Sequence, residues 1–79
     1  MNKAQLAIRL ARKHVGNGAA MDSSARLCLI DALELYDAGN YDAALNRAVK
    51  SLAYSVGIFH PDHKRFQPFY NRSSAFETR

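Results

Sequence analysis

Ala32-Leu33-Glu34-Leu35-Tyr36-Asp37-Ala38-Gly39-Asn40-Tyr41-Asp42-Ala43-Ala44-Leu45 reads as the end of one helix, a tight turn and the start of the next. Gly39 suits the position just past a helix, because it takes a left-handed backbone conformation without steric cost. Asn40 is a candidate cap for the following helix, its side-chain oxygen accepting from a free backbone N–H one turn in. Asp42 places negative charge in that helix's first turn, where the helix dipole favours it. A connection this short makes the two helices antiparallel neighbours. The chain is therefore all-α, and the remaining segments are placed relative to this hairpin.

The helix before the turn is predicted over about residues 23–38, started by Asp22, Ser23 or Ser24. Ala25, Cys28, Leu29, Ala32, Leu35 and Tyr36 form its core stripe. Leu27, Ile30 and Leu33 fall outside that stripe, so the helix is apolar on much of its circumference. Such a helix is either sandwiched centrally between neighbours or carries an interface, with a homodimer as one form of the latter. The helix after the turn is predicted over 41–59, with Tyr41, Leu45, Ala48, Leu52, Val56 and Phe59 inward and Ala44 and Val49 beside them. Gly57 weakens its last turn, and Pro61 stops continuation. Upstream, Asn2 caps a first helix over 3–14. There Ala4, Leu6, Ala7, Leu10, Ala11 and Val15 share an arc opposite Arg9, Arg12 and Lys13. Gly16-Asn17-Gly18 forms the turn between the first two helices. Residues 1–60 thus form an up-down-up three-helix domain with the second helix central. Residues 61–79 form an aromatic and basic C-terminal extension with a frayed end.

Residues 25–58 resemble a single tetratricopeptide-repeat helical hairpin, through Ala32, turn Gly39, Tyr41 opening the second helix, Ala44 and Leu45. Cys28 stands where that pattern has a large aromatic, Ser51 where it has an alanine and Val56 where it has a proline. The turn is also similar to that of three-helix microtubule-interacting-and-trafficking domains and of some nucleotidyltransferase-associated helical domains. The RNase chemistry of the last group is not implied, since Arg47 has no histidine four to six residues after it. The repeat-like resemblance implies a helical hairpin and a protein-binding role. A lone repeat cannot bury its apolar faces and needs something to stack on.

The 79 residues correspond to one small domain with little room for a deep cleft. A hydrophobic content of 48% argues against global disorder. No apolar run approaches the roughly 18 residues of a membrane span, and the N-terminus lacks the apolar core of a signal peptide. The single cysteine, Cys28, precludes an internal disulfide and fits a reducing compartment. A cytoplasmic location without membrane attachment is the expectation. The net charge of +4 permits an acidic partner or nucleic acid without requiring either.

No residue pattern makes a convincing catalytic or metal site, so the expectation is a non-enzymatic protein with no cofactor and no metal. His60 and His63 flank Asp62, but two histidines three residues apart need further ligands. Cys28 on the core stripe reads as a buried, inert thiol. Asp31, Glu34 and Asp37 read as a solvated helix face. The candidate protein-binding residues are Ile30, Leu33, Phe66, Phe69 and Tyr70, the last three being aromatics that either dock on a partner or patch the core. Arg9, Arg12, Lys13, Lys64, Arg65 and Arg72 form the candidate basic surface, but no recognised nucleic-acid motif accompanies them. The preferred expectation is an adapter or small regulator or inhibitor that binds another protein, as in bacterial or phage accessory factors. Nucleic-acid binding is the alternative.

Overall fold

A computed structural model of the chain describes residues 2–16 and 23–66. These residues form three helices and a short fourth: α1 (Lys3–Gly16), α2 (Ser23–Asp37), α3 (Tyr41–Val56) and α4 (Pro61–Lys64). No strand occurs among them. Candidate residues Phe69, Tyr70 and Arg72, the turn at 17–22 with its candidate cap Asp22, and the tail from 73 lie outside the described residues.

The quoted hairpin closes through the backbone hydrogen bonds of a Schellman turn. The Asn40 N–H donates to the Leu35 carbonyl at 2.9 Å and the Gly39 N–H to the Tyr36 carbonyl at 3.0 Å. Gly39 sits at φ +83°. Asn40 differs from expectation: its side chain makes no capping bond, and only its carbonyl serves the helix, accepting from the Ala44 N–H at 3.0 Å. The Tyr36 and Tyr41 rings meet across the turn, 4.9 Å between centroids. At the start of α1 the expected cap is present, with the Gln5 N–H donating to Asn2 Oδ1 at 2.7 Å.

The centre of the bundle belongs to α3, not to α2 as the apolar circumference of α2 suggests. α3 packs extensively against both α1 and α2, which touch each other far less. The physical reason is side-chain size. Ala44, Ala48 and Ser51 of α3 are fully buried, as are Ala7 and Ala11 of α1 and Ala25 and Ala32 of α2, so backbones approach closely along α3. Ser51 reinforces one such approach, its hydroxyl donating to the Ala25 carbonyl of α2 at 2.7 Å. That bond satisfies a polar group that would otherwise be costly to bury. Leu45, Val49 and Leu52 supply the larger core volume, with Ile8 from α1 and Leu29 from α2. Ile8 is a core residue that the predicted α1 stripe omits.

α3 stops three residues before the predicted end at Phe59. Gly57, at φ +93°, carries the chain out of helical geometry after Val56. Phe59 therefore swings to the surface, 82% exposed, and is not part of the core stripe. Tyr41, also expected inside, is exposed at the other end of α3. α1 runs two residues past the predicted His14, to Gly16, whereas α2 ends at Asp37, one residue before the predicted end.

Candidate functional site

Two surface features stand out, and helix packing creates both. The first lies on α1 and α2. With α3 central, the outer side of α2 remains uncovered: Leu27 is 62% exposed, Ile30 45% and Leu33 37%. Spaced three residues apart, these side chains form one ridge along the helix. Leu33 continues into an open groove of about 430 Å³ between α1 and α2, lined also by Gln5, Ile8, Arg9, Arg12 and Tyr36. Its lining combines the apolar Ile8 and Leu33 and the Tyr36 ring with two arginines from α1. Ile30 and Leu33 are thus both exposed, Leu33 at the edge of the groove.

Phe66 is different. Only 2% exposed, it packs into the core cluster and is unavailable to a partner. The helical turn of α4 carries it inward, its N–H donating to the His63 carbonyl at 2.9 Å. Of the basic candidates, Arg9, Arg12 and Lys13 are exposed on α1, and Lys64 and Arg65 at the end of α4.

The second feature joins α1 to α4. His14, in the last turn of α1, donates from Nε2 to the Asp62 carboxylate at 2.7 Å. His60 stands beside them, its ring edge-on to that of His14 with centroids 5.1 Å apart. His60 is also the N-cap of α4, its Nδ1 accepting from the Asp62 N–H at 3.1 Å. All three residues are half-buried. The hydrogen bond from His14 holds the Asp62 carboxyl below its ordinary range; burial opposes it with a smaller effect, and the nearby Lys13 adds a minor lowering. His63, paired with His60 in the sequence reading, turns the other way. It is fully buried and its Nδ1–H donates to the Ile58 carbonyl at 3.1 Å, so it props the α3–α4 link from inside. His14 is the member that sequence spacing does not reveal, because it lies 48 residues from Asp62.

Cys28 is buried as expected, and burial raises its thiol pKa against smaller opposing effects of Lys50 and Arg47. Asp31 of the acidic group approaches Arg47 of α3 at 4.0 Å, both side chains about half exposed, an arrangement worth little to stability. No helix among the described residues is long and apolar enough to cross a membrane. Comparison with family models, curated proteins and solved structures gives no match to the chain.

Proposed function

We propose that the protein is a non-enzymatic protein-binding module, an adapter or small regulator, whose α1–α2 face docks an apolar helix edged with acidic side chains. The observation that carries this reading is the exposed Leu27–Ile30–Leu33 ridge running into the groove beside Arg9 and Arg12. A ridge and groove of this shape suit a partner helix presenting apolar residues at one-turn spacing. The flanking arginines select for acidic side chains at its edge and speed encounter. The likeness of the α2–α3 hairpin to a tetratricopeptide repeat is consistent with this role, because a single such unit leaves apolar surface uncovered.

The test is affinity capture from the host's lysate with nuclease present, followed by reconstitution with the purified captured protein. Binding of that protein should weaken at least about tenfold in Ile30→Glu, whose side chain would meet the partner's apolar ridge. Arg9→Glu/Arg12→Glu should weaken it too, with a smaller loss at high salt. Full retention of affinity in both variants sinks the reading. A second copy of the chain is one possible occupant, since Glu34 and Asp37 border the same ridge on α2; light scattering of the wild type and Ile30→Glu identifies that case.

One observation favours a second reading, nucleic-acid binding. The His14–Asp62 contact brings α4, with Lys64 and Arg65, to the end of α1 that carries Lys13. Recovery of nucleic acid alone, with affinity falling steeply with salt and indifferent to Ile30→Glu, would select it.

A further inference from the structure

We propose that His14, His60 and Asp62 form a binding site for one divalent transition-metal ion of the zinc type, held between the end of α1 and the turn into α4. One donor atom from each of the three residues lies within 4.8 Å of the other two. Neighbouring donors in a tetrahedral zinc site stand about 3.3 Å apart, given bond lengths of roughly 2.0–2.2 Å. The His14–Asp62 pair is already at 2.7 Å, so an ion has only to part that pair slightly and draw His60 inward by side-chain rotation.

The cluster is also unlike an incidental run of polar residues on one helix. Its members come from α1, from the link after α3 and from the first turn of α4. All three are half-buried, so an ion would lose part of its water shell and still have access from solvent. Two imidazoles and one carboxylate suit zinc, cobalt, nickel or copper, whereas magnesium and calcium prefer all-oxygen sets. Three protein donors leave a fourth position for solvent or for a group from a partner.

Loading has two local consequences. His60 Nδ1 now accepts from the Asp62 N–H. Ligation through Nδ1 replaces that bond, and ligation through Nε2 moves the ring proton to Nδ1 and also ends it. The His14 Nε2 proton, now donated to Asp62, must likewise leave that nitrogen, moving to Nδ1 of the neutral ring, so loading exchanges the His14–Asp62 hydrogen bond for two bonds to the ion. Lys13, which acts on Asp62 through space, lowers the affinity for a cation. The ion would fasten α1 to α4 and so favour the folded over the unfolded chain.

The experiment is calorimetric titration of the untagged full chain with zinc chloride near neutral pH, with magnesium chloride as the comparison. Three variants preserve the local hydrogen bonds while removing a ligand. His14→Gln keeps an N–H donor for Asp62, His60→Asn keeps an oxygen acceptor for the α4 cap, and Asp62→Asn keeps an acceptor for His14. Circular dichroism verifies their folding. The expected result is one zinc per chain, no binding of magnesium, and at least about tenfold weaker zinc binding in each folded variant. Cobalt bound at the same site should give the intense visible absorption of tetrahedral coordination. Absence of zinc binding by the wild type overturns the proposal, as does unchanged affinity in His14→Gln and Asp62→Asn, which would put the ion elsewhere. Should His60→Asn fail to fold, the other two variants and the wild-type stoichiometry still decide.

Discussion

Truncating one leucine on α3 and one on α2 tests which helix holds the bundle together. Leu52 of α3 is 0% exposed and belongs to the core cluster. Leu52→Ala removes its transfer free energy and leaves a cavity in the buried core that the surroundings only partly close, a loss of about 2–5 kcal/mol. A 79-residue domain is stabilised by roughly 4–12 kcal/mol in total, at about 0.05–0.15 kcal/mol per residue. The substitution therefore consumes a large fraction of the stability and lowers the melting temperature by on the order of 10–30 °C. Leu33 of α2 lies over an open groove, so Leu33→Ala creates no closed cavity. It forfeits partial burial only, about 1 kcal/mol, offset slightly by the better helix propensity of alanine. Urea unfolding followed by circular dichroism, at two protein concentrations, measures both. Equal losses, or a larger loss for Leu33→Ala at low concentration, would refute the assignment of α3 to the centre. A Leu33→Ala loss that grows with protein concentration would instead show the ridge buried between two chains.

Alanine in place of glycine should be costly at one site and tolerated at another. Gly39→Ala forces φ +83° on a residue with a Cβ and should destabilise by about 1 kcal/mol, read as a lower melting temperature. Gly16→Ala, at the end of α1 with nothing near the new Cβ, should be neutral or stabilise by a few tenths of a kcal/mol. Cys28 should react slowly with a thiol reagent in the native state. Its pKa lies above the ordinary 9.0, chiefly through burial, so less thiolate is present than in the unfolded chain at any pH below that value. The rate should rise with pH through and beyond 9 and jump when urea unfolds the protein; a native rate equal to the unfolded one would show the thiol accessible.

What the sequence makes legible here is whatever a few neighbouring residues decide. The turn at Gly39 is one such feature, since a glycine after an apolar helical run has few alternatives to a left-handed cap. The α2 stripe through Cys28, Leu29 and Ala32 is another, because helical periodicity alone assigns those residues to one face. The identity of the central helix is not local. Apolar circumference points to α2, whereas the distance of closest approach is set by small residues on three helices at once, and those converge on α3. The same distinction explains the His14–His60–Asp62 cluster. Sequence spacing pairs His60 with His63, but α4 is barely one turn long and sends its histidine inward, while His14 arrives from the end of α1 because α3 has brought α1 alongside. Ile30 and Leu33 show where the two scales meet. Their position off the α2 stripe is visible in the sequence, but their exposure follows only from α1 and α2 both packing on α3 and leaving the groove between them open.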